Sequence, residues 1–262
     1  MSELSLAYEG AGAAWSRGPS LLYDKMARIV VEPMASELRG RLVLDVGAGT
    51  GALCRAVVAA GATAVALDTS PDMLAQTRGS ALLAVIGDML SLPFIDGTFD
   101  AALAGFSISH TETPEQVLAE MRRVVRPAGA VVASVFGASP PNASKEVVDE
   151  VAGGFGFERP EWYVALKSAT EPRSNTPELL ISSASAAGLV DVEVREVIVD
   201  SGVETPEAIV EYRIGMAHLA PFVASLEERV RRAFLQRARS EVRRRGQAVR
   251  PRVLILSSRS PE

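Results

Sequence analysis

The run Val43-Leu44-Asp45-Val46-Gly47-Ala48-Gly49-Thr50-Gly51 sets a carboxylate and three alternate glycines at the end of an apolar stretch, and a helical pattern, Ala52-Leu53-Cys54-Arg55-Ala56-Val57-Val58, follows at once. Alternate glycines let the backbone turn tightly and approach a ligand where a Cβ would collide. The helix behind them offers free N–H groups and the positive end of its dipole. A crevice of this kind, at the carboxyl end of a strand, is where open α/β sheets bind nucleotide-like ligands. The chemistry indicated is that of a nucleoside-containing cofactor. Gly47-x-Gly49-x-x-Ala52 also satisfies the dinucleotide fingerprint in its Gly/Ala form. Asp45 argues the other way: its fixed charge is unfavourable beside a diphosphate and suits a ligand with an ammonium group. Asp68 ends the next apolar run, where an acid accepts hydrogen bonds from ribose hydroxyls. It is also placed to cap a helix at Pro71.

These residues need a parallel sheet to position them. Apolar runs at 41–46, 62–67, 82–86, 99–106 and 130–136 read as strands, with helices at 51–60, 71–77 and 114–125 between them, and such alternation is the signature of a parallel α/β sheet. Ser70-Pro71 and Thr113-Pro114 each offer a cap followed by proline at the first helical position. Residues 1–40 read as a helical cover, with a helix over 21–31 that Pro33 bends or ends. Beyond Phe136 the pattern loosens, and 137–176 reads as irregular. A helix at 177–187, a strand at 190–199, helices at 206–216 and 221–245, and a last strand at 253–256 complete the chain. The expected architecture is Rossmann-like: a mostly parallel seven-stranded sheet with helices on both faces and a helical insertion between the last two strands. It forms one domain over 1–262, with 41–136 as the cofactor-binding core and 137–188 and 200–250 as substrate-side elements.

At 262 residues, with 48% hydrophobic and 23% charged residues, the composition is that of an ordinary globular protein long enough for one large domain. A net charge of −5 argues against a general nucleic-acid binder. The single cysteine, Cys54, allows no internal disulfide and no cysteine-based zinc cage, and no metal site is expected. The first residues lack the basic and apolar regions of a secretory signal, and no apolar run of about 18 residues could span a membrane. The expectation is a soluble, cytoplasmic protein.

The pattern hydrophobic-Asp-x-Gly-x-Gly-x-Gly resembles motif I of the class I S-adenosylmethionine-dependent methyltransferases. The resemblance continues through Val85-Ile86-Gly87-Asp88-Met89 and Leu92-Pro93-Phe94-x-Asp96-Gly97-x-Phe99-Asp100. It extends over Phe106-Ser107-Ile108-Ser109-His110, then Pro114, Glu120-Met121-Arg122-Arg123-Val124 and Arg126-Pro127-x-Gly129. Over roughly residues 20–136 it resembles the small-molecule branch that includes the ubiquinone and menaquinone methyltransferases. It implies S-adenosylmethionine as cofactor, held by Asp45, Gly47, Ala48, Gly49 and Gly51, by Asp68, Thr69 and Met73, and by Phe106. Asp88 would take the adenine amino group, with Met89 against the ring. Of Tyr8, Trp15 and Tyr23 in the N-terminal cover, Tyr23 is the best placed to touch the cofactor.

Such a cofactor is already an activated methyl donor, so the protein mainly has to align the acceptor and exclude water. His110, after the fourth strand, is a candidate general base and pocket wall. Trp162, Tyr163, Arg213, Met216 and His218 are candidates for the substrate pocket, with helix packing as the plainer role for His218. The few polar candidates suggest a neutral or partly apolar small-molecule acceptor; O-, N- and C-transfer stay open, as does the oligomeric state. Alternatives are a fold member that binds the cofactor without methyl transfer, another reaction on the same fold, and an NAD-dependent oxidoreductase. Against the last, Tyr163 and Lys167 form the Tyr-x-x-x-Lys spacing only in the irregular segment. Two further patterns read as incidental. Ser139-Pro140-Pro141-Asn142 lacks the aromatic residue of the amino-methylating motif that it resembles. The arginines of 229–245 surround an apolar stripe (Leu226, Val230, Phe234, Leu235, Ala238, Val242) and read as a solvated helix face.

Overall fold

The computed structural model describes residues 7–77, 79, 83–140 and 142–262; the expected start of the third strand, Leu82, and Pro141 fall outside them. Seven strands, β1 (Leu42–Val46), β2 (Thr63–Asp68), β3 (Leu83–Ile86), β4 (Phe99–Gly105), β5 (Val125–Phe136), β6 (Val190–Ile198) and β7 (Arg252–Arg259), form one sheet in the order β3-β2-β1-β4-β5-β7-β6. The first five run parallel, and β7 is antiparallel to both β5 and β6. This is the mostly parallel Rossmann-like sheet expected. The last strand is longer than its apolar run, because Ser257, Ser258 and Arg259 continue the ladder against Val132, Val131 and Ala130.

Strand alternation gives the sheet two buried faces. On one, Val43 and Val132 meet Leu22 and Met26 of α2 (Pro19–Val31) and Leu53 and Cys54 of α4 (Ala52–Ala59), behind the short α1 (Gly12–Arg17) and α3 (Ala35–Leu38). On the other, Leu44, Val46 and Val131 meet Val117, Leu118 and Met121 of α6 (Pro114–Val124), with Leu180 and Ala184 of α9 (Pro177–Ala186). The order reverses at β1, whose neighbours are β2 and β4, and this switch point opens the crevice at the carboxyl edge. Register sets Asp45 beside Ala66 and Leu103, one turn of chain before that edge.

Helix starts follow local chemistry. Ser70 accepts from the Met73 N–H at 3.3 Å and starts α5 (Pro71–Leu74), as its sequence suggests. Thr113 makes no such side-chain cap; its hydroxyl lies against Thr111 and Gln116 instead. The segment 137–176 is more ordered than its prolines suggest. It carries α7 (Ala143–Gly153), α8 (Glu161–Ala165) and a π-helical turn over Leu166–Thr170. Asn142 is the cap of α7, its side chain accepting from the Ser144 and Lys145 N–H groups, which explains that residue without any ligand.

The insertion between β6 and β7 holds α10 (Pro206–Ile214), α11 (Ala220–Ser225) and α12 (Glu228–Arg245). The single helix expected over 221–245 is broken at Leu226 and Glu227, both in extended backbone. On α12 the buried stripe is Phe234, Ala238 and Val242, while Val230 is exposed. Its arginines pair with Glu228 and Glu241 on the same helix and with Glu207 and Glu150 on its neighbours. Among the described residues no helix is long and apolar enough to cross a membrane.

A buried ion pair ties these outer segments together. Arg213 of α10 donates from Nε and Nη2 to the two Asp149 oxygens of α7, at 2.8 and 2.7 Å, and from Nη2 to the Tyr163 hydroxyl of α8 at 3.2 Å. Removing one partner leaves a charge buried without its counterpart. Asp149→Ala is expected to destabilise the protein by roughly 3–5 kcal/mol in urea denaturation, and a loss below about 1 kcal/mol would show that the pair is dispensable.

Candidate active site

After β1 the backbone passes through positive φ at Gly47 (69°), Gly49 (53°) and Gly51 (81°) before α4 begins. A Cβ at Gly47 would overlap Ser107, whose hydroxyl donates to the Val46 carbonyl at 2.7 Å. The loop is pinned to β2: Gly47 and Ala48 donate N–H to the Leu67 carbonyl at 2.8 and 2.9 Å. Gly49 donates to Asp68 Oδ2 at 2.8 Å, and Ser70 N–H reaches Asp68 Oδ1 at 2.9 Å. Asp68 therefore shapes the loop and the turn into α5 together. Burial raises its pKa, and backbone N–H bonds from Ser70, Gly49 and Thr69 oppose that rise. An ionised carboxylate has about four lone-pair sites, so it can still accept from a ligand hydroxyl.

Asp45 lies deeper, 2% exposed. Its Oδ2 accepts from the Cys54 N–H and from the Cys54 thiol, both at 3.1 Å. Burial pushes its pKa up to about 7, against the lowering effect of those two bonds.

Loop and aspartates face one cavity of about 570 Å³. Its wall contains Asp45, Gly47, Ala48 and Gly49 from the first loop, Asp68, Thr69 and Met73 from the second, and Asp88 and Met89 beyond β3. Phe106 and Tyr23 also line it, so of the expected cofactor residues only Gly51 lies outside the wall. Gly51 instead supplies the left-handed turn into α4. Phe106 holds φ at 61°, a conformation that a non-glycine residue rarely adopts. Its N–H donates to the Ser134 carbonyl at 2.8 Å, and its ring packs on Phe136 at 4.6 Å and Tyr23 at 5.4 Å.

A smaller chamber of about 40 Å³ adjoins this cavity and shares Tyr8, Tyr23, Phe106 and His110 with it. Trp162, Tyr163, Met216 and His218 also line the chamber, together with Phe136, Lys167 and Glu171. Arg213 does not: it is buried behind Tyr163 in the Asp149 pair and has no place in either wall. His110 Nε2 lies 3.4 Å from the Tyr8 hydroxyl, and burial, then Lys167, bring its pKa down to about 4. His218 stacks on Tyr163 at 3.9 Å and 8°, and burial holds its pKa far below the usual imidazole range. Both rings are neutral at physiological pH. Missed from sequence were Ala165, Leu166, Ala169 and Thr170, which border the large cavity. They come from a five-residue helix and a π-turn, too short to leave a periodic signal.

The sheet order, the glycine loop and the strand-end aspartates define the class I methyltransferase fold. Residues 44–133 match the family described as "Methyltransferase domain". A curated relative, demethylmenaquinone methyltransferase of Renibacterium salmoninarum, is 39% identical over 111 residues, covering 42% of this chain and 46% of that one. Phosphoethanolamine N-methyltransferase 2 of Haemonchus contortus, solved with S-adenosyl-L-methionine, superposes with a TM-score of 0.57 at 16% identity, over 90% of this chain and 52% of that one. The 4+2 cyclase SpnF superposes with a TM-score of 0.55 at 21% identity, over 91% of this chain and 81% of that one. Over residues 44–133 the chain is thus similar to methyltransferase domains, and over most of its length it shares the fold of these solved structures. It spans about half the length of the curated relatives it matches.

Because the folded Asp45 pKa of about 7 exceeds the unfolded value of about 3.9, the folded state holds the proton longer. Between those two values stability falls as pH rises, and above pH 7 the loss is complete. Asp45→Asn is expected to flatten this slope, raising the melting temperature of the ligand-free protein at pH 8 relative to wild type. An unchanged slope between pH 4.5 and 7.5 would show that Asp45 stays ionised throughout.

Proposed function

We propose that the protein transfers a methyl group from S-adenosylmethionine to a small-molecule acceptor held in the aromatic chamber. The observation that carries this reading is the single cavity shared by the glycine loop, Asp45, Asp68 and Asp88, with the aromatic chamber opening beside it. The residues suit the cofactor. Asp45 belongs to the cavity wall, and its Oδ1 has no hydrogen-bond partner among the described residues, which leaves it free for an ammonium group. Asp68 can accept from ribose hydroxyls, and Asp88, whose Oδ1 accepts from Leu90 N–H at 2.9 Å, can reach an adenine amino group. When bound, the cofactor supplies an electrophilic methyl group on a sulfonium.

The chain's own work is alignment and exclusion of water. Tyr8, Trp15, Tyr23, Phe106, His110 and Leu166 line both spaces, where donor and acceptor would meet. In-line placement at about 3 Å is worth more here than a strong base. His110, with a pKa of about 4, is a weak proton acceptor, and it serves as a neutral wall and hydrogen-bonding group. An NAD-dependent reading is disfavoured because Asp45 stands in the cavity wall beside the glycine loop, where a diphosphate would lie. Tyr163 also cannot act in a proton relay with Lys167, since its hydroxyl accepts from Arg213 and its ring is stacked on His218. The cyclase neighbour shows that the fold alone does not fix the reaction. The name of the curated relatives makes demethylmenaquinone the first acceptor to test.

Calorimetric titration should give micromolar binding of S-adenosylmethionine and S-adenosylhomocysteine and none of NAD, and mass spectrometry of acceptor reactions should give a product heavier by one methylene. Binding of NAD alone, or turnover of an acceptor with no methylated species, would overturn the reading. Asp68→Ala should weaken cofactor binding by roughly 1–3 kcal/mol. His110→Ala should lower turnover less than about tenfold, whereas a loss near 10²-fold would make it the proton acceptor.

A further inference from the structure

We propose that Cys54 is a positioning residue for cofactor binding: its thiol and its N–H together fix one oxygen of Asp45 and present the other to the cofactor's ammonium group. The proposal rests on the reading of Asp45 given above. Both donors of Cys54 lie 3.1 Å from the same atom, Asp45 Oδ2. No side chain or backbone group of the described residues bonds Oδ1. Two donors on one oxygen restrict rotation of the carboxylate, and Asp45 is part of the cavity wall, so its open oxygen is the one left for a ligand.

The choice of a thiol is chemically apt. A buried carboxylate needs partners, but a lysine or arginine at this place would neutralise the charge that the ammonium must meet. A thiol is a weak donor that carries no charge. Cys54 is fully buried on the core side of α4, and burial together with Asp45 drives its own pKa up, so it stays an S–H donor. The other charged groups that reach Asp45 are Asp68, which opposes its ionisation, and Arg55, which favours it. Arg55 is engaged by Asp24 of α2 at 2.5 Å and by the Thr50 carbonyl at 2.6 Å, so it cannot turn to take the carboxylate itself.

The thiol bond favours the ionised carboxylate, so its removal must shift the titration of Asp45 upward. Affinity for an ammonium-bearing ligand rises with pH as Asp45 ionises, and that rise must move to higher pH in Cys54→Ala. Calorimetry between pH 6 and 9 with two ligands tests this. S-adenosylhomocysteine carries the amino-acid group, and methylthioadenosine lacks it. At pH 7, Cys54→Ala is expected to bind S-adenosylhomocysteine about fivefold more weakly, with the midpoint of its pH dependence raised, and to bind methylthioadenosine within twofold of wild type. Cys54→Ser, whose hydroxyl is the stronger donor, should restore affinity and move the midpoint down; this variant carries the test alone if the alanine variant folds poorly. Unchanged affinity and midpoint for S-adenosylhomocysteine overturn the proposal, and so does an equal loss for both ligands, which marks a merely structural role. Wild-type protein that binds neither ligand overturns the cofactor reading itself, and the proposal with it.

Discussion

The carboxylate of Asp68 reaches two backbone N–H groups at once, one in the glycine loop and one in the turn after β2. Much of the site's shape follows from that sharing. A loop with three residues at positive φ has little intrinsic preference for one conformation, and its flexibility is costly to suppress. Clamped by Asp68 Oδ2 at Gly49 and by the Leu67 carbonyl at Gly47 and Ala48, it is set in place before any ligand arrives. The same side chain then remains available at the cavity wall. One residue thus builds the site and lines it, and its structural and ligand-binding roles are not alternatives.

A second constraint acts on the opposite wall. Aromatic side chains can form a chamber only if something fixes their angles, and Arg213 does so from behind. Its fork with Asp149 and its bond to Tyr163 hold α7, α8 and α10 in one arrangement. Tyr163 in turn carries His218 on its face. Arg213 itself stays out of the chamber, whose charged lining residues, Lys167 and Glu171, pair with each other among the rings.

The cofactor half was legible because its requirements are local. Glycine at 47, 49 and 51, an acid at each strand end and an apolar run before each loop are all short-range patterns, and ten of the positions they marked stand in one cavity wall with Tyr23. The acceptor half was legible only in composition. Trp162, Tyr163, Met216 and His218 share one wall, whereas Arg213 lies outside it, bound to Asp149 64 residues away. Pairing at that distance leaves no periodic trace. The α8 helix and its π-turn escaped for a related reason: tertiary packing, not propensity, forms them. Thr113 shows a milder case, in which a nearby hydroxyl took the side chain that the helix start was expected to use.

The insertion that carries α10, α11 and α12 leaves the sheet after Ile198 and returns at Arg252, and these two residues are register partners. Val199 and Pro251 close the stem with a further backbone bond at 2.9 Å. More than fifty residues therefore depart from and come back to neighbouring positions on a hairpin. Lengthening the insertion's exposed parts changes closure entropy only slowly with length, whereas the stretch that carries Arg213 stays tied to Asp149. The insertion is thus moored twice, at the β6–β7 stem and through Arg213, with β4 and β5 between that stem and the loop-bearing β1.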